Sequence, residues 1–231
     1  MNRMSKIAVL TMYFAVALTA VAAAAQPSAD YKFEDSFTSS VNGAPALSPE
    51  GPIRMCPPCQ EFDRVKVNGK KQGVWRWPEG DGLRLGKADK LLGHGGKTYT
   101  ISMLVNLDTV NGYRKMVDFE DRTEDLGWYV YSESLYPYDL SDFDYDKQKV
   151  QAGEWRQLVF TRDDRGFARG FVDGKQIGKD RDPNKEVALH GNKLHFLIDN
   201  EGGTEQSGGM IARLRIWENA LDPNEVKDLG G

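Results

Sequence analysis

Alternation at period two is the main pattern along this chain, and long helical periodicity is nearly absent. In TISMLVNL (100–107), Ile101, Met103, Val105 and Leu107 share one face while Ser102 and Asn106 take the other, the signature of a half-buried strand. In GGMIARLRIW (208–217), Met210, Ala212, Leu214 and Ile216 point one way and Arg213 and Arg215 the other, which predicts an antiparallel strand with one solvated face. Shorter runs over 113–120, 127–131, 155–161, 167–172 and 194–198 predict further strands. Asp173-Gly174 favours the positive φ angles of a two-residue turn, so FVDGKQIG reads as a hairpin. One helical turn is predicted at the end of the chain. Asp222 can cap it, Pro223 suits its first position, Glu225 completes a capping box, and Leu221 with Val226 forms a hydrophobic staple.

The N-terminus changes the picture. Arg3 and Lys6 precede an apolar run from Ile7 that ends in Ala23-Ala24-Ala25, the pattern of a secretory signal peptide over residues 1–25. The alternative is an uncleaved anchor, since the run lies near the lower limit for spanning a bilayer; the polar QPSAD that follows favours cleavage. Residues 26–231 are then one domain without a linker or repeat, and no membrane span follows the signal. Cleavage removes two positive charges and no acid, taking the formal net charge from -4 to -6. A periplasmic or secreted acidic chain is a poor partner for nucleic acid.

Three separated segments carry a family resemblance. EWRQLVFTRDDRGFARGFVDGKQIG resembles the Trp-led strand and V-D-G-K hairpin of laminin-G-like domains in the concanavalin A-like lectin/glucanase superfamily. LHFLIDNEGG and GGMIARLRIWENALDPNEVKDL resemble its closing strand and tail, and GYRKMVDFEDRTEDLGWYVY resembles the middle strands of exported bacterial members. The likeness covers residues 98–229 well and Tyr31–Leu85 loosely, through YKFEDSF and GDGLRL. It implies an all-β fold, a two-sheet antiparallel jelly-roll sandwich with a short C-terminal helical turn. Trp155, Phe160, Phe171, Val172, Leu214 and Ile216 are expected as core or strand residues. Arg162, Arg213 and Arg215 are expected as solvent-facing residues paired with acids.

The two cysteines, Cys56 and Cys59, form CPPC. An oxidising compartment favours a disulfide, and no βαβ unit accompanies the motif to support a thioredoxin-like role. Gln60 stands where haem attachment needs His, and the spacing of His94, His190 and His195 is not finger-like. The expectation is a local staple in an early loop, worth about 2 kcal/mol in the chain-entropy model.

The superfamily serves sugar binding, protein adhesion and glycoside hydrolysis alike, so fold does not decide function. Its hydrolases resemble one another in an E-x-D-x-E strand. Here Asp118, Glu120 and Arg122 share a face with Asp121 opposite, so no catalytic residue is assigned and hydrolysis is the weaker alternative. The leading expectation is a non-catalytic module that recognises carbohydrate, and its competitor is adhesion to an envelope or extracellular protein. Support comes from the aromatic and acidic stretch YVYSESLYPYDLSDFDYDK, in which Tyr136, Tyr138, Phe143 and Tyr145 alternate with Asp139, Asp142, Asp144 and Asp146. Aromatic faces pack on sugar rings and carboxylates accept hydroxyl hydrogen bonds, making Tyr136, Tyr138, Asp139, Asp142 and Tyr145 the candidate ligand-binding residues. The resemblance also implies a rim calcium site at Asp199 and Asn200, with Glu205 or Asp118 as additions. Ala212 stands where many relatives carry an acid. No other cofactor is implied.

Overall fold

The computed structural model describes residues 25–52, 61–138, 140–143 and 149–229. Along them run β1 (Ala29–Tyr31), β2 (Leu47–Glu50), β3 (Glu61–Val67), β4 (Lys70–Trp77), β5 (Gly82–Gly86), β6 (Tyr99–Leu107), β7 (Tyr113–Asp118), β8 (Trp128–Tyr131), β9 (Ser134–Pro137), β10 (Trp155–Arg162), β11 (Phe167–Val172), β12 (Lys175–Arg181), β13 (Lys193–Phe196), β14 (Gly209–Trp217) and helix α1 (Pro223–Asp228). They form two antiparallel sheets. The larger has the order β12-β11-β10-β6-β14-β4-β3, with β1 also paired to β14; the smaller has the order β2-β5-β13-β7-β8-β9. Residues 1–24 of the predicted signal peptide and the predicted Cys56–Cys59 staple lie outside the described residues.

Alternation places the core between the sheets. From β6, Ile101, Met103, Val105 and Leu107 are buried against Leu158 and Phe160 of β10 and Leu83, Val117, Trp128, Leu194 and Phe196 of the smaller sheet. Each such side chain contributes about 1.5–3 kcal/mol by leaving water. The same parity turns Trp155 outward, contrary to the expectation of a core tryptophan: it is half-buried against an outer cluster of Val67, Val74 and Ala212. Phe171 is buried in a second outer cluster, with Trp217, Leu221 and Val226, beneath α1.

Two departures from simple alternation matter. In β14 a bulge between Ile211 and Arg213 inserts Ala212, so Met210 and Ala212 lie in the outer cluster while Leu214 and Ile216 face the core. The predicted single face of Met210, Ala212, Leu214 and Ile216 is therefore split. Arg162, expected at the surface, is buried at 4 % exposure and paired with buried Asp182 at 2.7 Å. It points inward because it shares parity with Leu158 and Phe160, and its remaining N–H groups donate to the carbonyls of Lys97 and Asp182.

Local signals set the turns. Asp173 and Gly174 have φ of 50° and 74°, the primed-turn geometry that joins β11 to β12. Asn68-Gly69 does the same between β3 and β4, with φ of 47° and 82°. Helix α1 carries the complete capping box, with Asp222 accepting from Asn224 and Glu225 N–H and Glu225 accepting from Asp222 N–H.

Candidate functional site

The outer face of the smaller sheet collects polar and aromatic side chains that the sequence scatters over more than 150 residues. Leu83, Leu85, Leu194, Phe196, Trp128, Val130 and Leu135 turn into the core, so Arg84, His195, Tyr129, Tyr131 and Tyr136 must turn out. Three zones lie side by side on this face.

At the β2 end, His195 stands between two carboxylates. Its Nδ1 lies 2.6 Å from Glu50 Oε2 and its Nε2 lies 2.9 Å from Asp121 Oδ1. Arg84 approaches Glu50 and Lys193 pairs with Asp121 at 2.7 Å. Burial pushes the Glu50 carboxyl up, but the hydrogen bond and charge of His195, with Arg84, outweigh it and hold the group below the usual carboxylate range. Asp121 is lowered in the same way against its own burial, through Lys193 and His195.

In the middle zone the Lys115 ammonium is fully buried among acids. It lies 3.5 Å from Asp118, 3.6 Å from Asp125 and 4.0 Å from Asp199, donates to the Leu126 carbonyl at 2.9 Å, and sits 4.5 Å from the centre of the Tyr129 ring. Asp118 is completely buried, and its Oδ1 accepts from the N–H groups of Glu120 and Arg122. Asp199 is 1 % exposed, and its Oδ2 accepts from Glu205 N–H. Burial and the neighbouring charges of Asp125 and Asp199 raise the Glu205 carboxyl above its usual value.

These acids bear on the calcium expectation. Oxygens of Asp125, Asp199 and Glu205 lie within 4.8 Å of one another, and Asp199 Oδ1 is buried without a hydrogen-bond partner among the described residues. A hard-oxygen set with an orphaned carboxylate oxygen fits a divalent cation. Lys115 already supplies one positive charge there. Asn200 flanks the group, since a Cβ on Gly203 would meet both Asp199 Oδ2 and Asn200 Oδ1. Asp125 and Lys115 escaped sequence reasoning because only the pairing of β7 with both β13 and β8 brings them to Asp199.

The third zone is a tyrosine platform. Tyr113 stacks on Tyr131 with centroids 4.1 Å apart, and Tyr136 packs against both at 5.8 and 5.9 Å. Tyr129 adjoins Tyr138 and donates its hydroxyl to Asp125 at 2.5 Å. Tyr131 is 38 % exposed and Tyr113, Tyr136 and Tyr138 are half-buried, so ring surface faces solvent. Of the residues predicted to bind ligand, Tyr136 and Tyr138 belong to this platform. Asp142 does not join them; its backbone bonds to Lys179 and Asp180 on β12. Phe143 is a core residue against Trp128, while Asp139 and Tyr145 lie outside the described residues. Tyr113 and Tyr131 were missed, although they stand at outward parity on strands that were predicted.

Two antiparallel sheets in this order, with the polar groups gathered on the outer face of the smaller, define a jelly-roll sandwich. Residues 79–227 match the laminin-G family model of the concanavalin A-like lectin/glucanases superfamily, and the chain belongs to that family. A comparison with curated proteins returns no match. Among solved structures, domain 4 of AbnA, a GH43 extracellular arabinanase from Geobacillus stearothermophilus in complex with arabinotriose, is similar at 18 % identity and TM-score 0.64, covering 89 % of this chain and 98 % of that one. The receptor binding domain of botulinum neurotoxin type G is similar at 12 % identity and TM-score 0.56, covering 89 % of this chain and 51 % of that one. The binding domain of botulinum neurotoxin DC in complex with rat synaptotagmin II is similar at 10 % identity and TM-score 0.57, over 87 % and 50 %. The chain thus spans about half the length of these toxin domains. At such identities the likeness is one of fold.

Proposed function

We propose that this chain is a non-catalytic binding module whose outer tyrosine platform recognises carbohydrate. The observation that carries the reading is the cluster of Tyr113, Tyr131 and Tyr136, which offers stacked ring surface to solvent next to carboxylates. Flat rings cover the apolar face of a sugar and acids accept its hydroxyl groups. The arabinotriose-bound domain of the arabinanase supports this choice of ligand. Against catalysis stands Asp118, the central acid of this face, whose buried carboxylate is committed to two N–H groups and Lys115. The apolar N-terminal run supports export, so the ligand is sought among periplasmic and extracellular glycans. Asp125, Asp199 and Glu205 would hold calcium as a rim ligand, relieving the repulsion that adds to burial in raising Glu205. Calcium bound only to the folded state would stabilise by about 2.7 kcal/mol at a hundredfold excess over Kd.

A glycan array with the full chain tests the reading. Binding of one glycan class, competed by free sugar and lost in Tyr131→Ala with an unchanged melting temperature, is the expected result. Retention by an envelope or host protein that free sugar does not disturb would favour the adhesion reading, for which the synaptotagmin-bound toxin domain is the precedent. Sugar release from polysaccharide would restore the hydrolase alternative.

A further inference from the structure

The outer face of the larger sheet, on the opposite side of the sandwich from the tyrosines, holds a polar cleft of about 210 Å³. Lys70 and Gln72 of β4, Ser102 of β6, Gln157 of β10, and Arg213 and Arg215 of β14 line it. They face outward by the same alternation that sends Trp75, Met103, Leu158, Leu214 and Ile216 into the core. Three cations in one cleft reverse the local sign of a chain whose formal net charge is -4.

Their neutralisation is uneven. Arg213 grips Asp30 through two hydrogen bonds of 2.9 Å. Lys70 is in no ion pair among the described residues. Arg215 donates at 3.3 Å to the Leu229 carbonyl and lies 5.4 Å from the centre of the Trp217 ring. Its Nε–H is buried and without a hydrogen-bond partner among the described residues. Burial, then the nearby charge of Arg213, pulls the Arg215 guanidinium down to about 10, with Asp30 acting the other way. A half-buried guanidinium that lacks its own acid gains most from an anion, because charge-assisted hydrogen bonds strengthen where water is scarce. The volume suits a small group, and Ser102, Gln72 and Gln157 add uncharged polar atoms around the cations.

We propose that this cleft is a second binding site, taking an oxyanion, the carboxylate or sulfate group of an acidic ligand, with Arg215 and Lys70 as its principal contacts. The site is independent of the tyrosine platform and stands or falls separately from it. Calorimetric titration of the full chain with sodium sulfate and with sodium glucuronate, at constant ionic strength in chloride, tests it; neutral glucose is the control. Saturable binding of either anion is expected, weakened about tenfold or more in both Arg215→Gln and Lys70→Gln and unchanged in Tyr131→Ala. Sulfate alone would identify a sulfate-ester ligand and glucuronate alone a uronate. Circular dichroism and melting establish that the variants fold, and Lys70→Gln, on an exposed residue, keeps the test open if Arg215→Gln does not. Absence of saturable binding to the wild type, or wild-type affinity in both charge-removing variants, would overturn the proposal.

Discussion

Replacing Lys115 with Met keeps the volume of a buried side chain and deletes only its charge and one hydrogen bond. The ammonium lies 3.5 Å from Asp118, whose side chain is 0 % exposed, and 4.0 Å from Asp199, at 1 %. At an effective dielectric near 20, a pair at that spacing attracts by about 4–5 kcal/mol. Sparing the lysine its own desolvation returns part of this, while the two buried carboxylates are left uncompensated. Breaking a buried ion pair from one side typically costs about 3–5 kcal/mol. In a domain of this size each kcal/mol moves the melting temperature by about 2–4 °C, so Lys115→Met should melt roughly 10 °C below wild type in calorimetry. Lys193→Met is the matched control. Its partner Asp121 is 46 % exposed, and a surface pair contributes about 0–1 kcal/mol. If Lys115→Met melts within about 2 °C of wild type, or no lower than Lys193→Met, the acids are neutralised by something other than this lysine and the electrostatic account of the middle zone fails.

The buried Arg162–Asp182 pair should behave similarly: Asp182→Ala costs about 3–5 kcal/mol, and because the partners share one network, Arg162→Met combined with Asp182→Ala should cost clearly less than the two single variants added. Additive denaturation energies would refute that coupling. Phe160→Ala, which empties a core position at 0 % exposure, should cost about 3–5 kcal/mol, and Trp155→Ala on the outer cluster distinctly less; the reverse order in urea would mean that the inward face of β10 is misassigned. Asp30, Glu50, Asp121 and Asp163 titrate below their ordinary values, so their contribution is present above the unfolded pKa values of about 4–4.5 and lost as pH falls through the depressed ones. Glu205, which is raised, has the opposite sign, and its penalty fades as pH falls through its raised folded-state value toward the ordinary glutamate value of about 4.3; a gain on that side that Glu205→Gln abolishes is expected in melting scans, and a gain retained by that variant contradicts the assignment.

The sheet character of the chain, the Asp173-Gly174 hairpin and the capped C-terminal turn were legible because each depends on residues close in sequence: period two on neighbours, a primed turn on one dipeptide, a capping box on four positions. The Asn68-Gly69 hairpin was equally legible and went unread, although its signal is the same dipeptide chemistry. Parity counted back from Leu158 and Phe160 would also have turned Trp155 outward. Other features were decided only when distant strands paired. The bulge at Ala212 leaves one mark in the alternation of GGMIARLRIW, apolar Ile211 at the parity of Arg213 and Arg215, but Ala is compatible with either face and does not locate it. His195 meets Asp121 through the pairing of β13 with β7, and Glu50 because β5 pairs with both β13 and β2, across sequence separations of 74 and 145 residues. The same holds for Lys115, which reads as a surface lysine between Arg114 and Met116 until β7, β8 and the loop after β13 close three carboxylates around it. Local chemistry determined which segments became strands and turns, while the energy of a buried charge depends on partners that only the tertiary structure supplies.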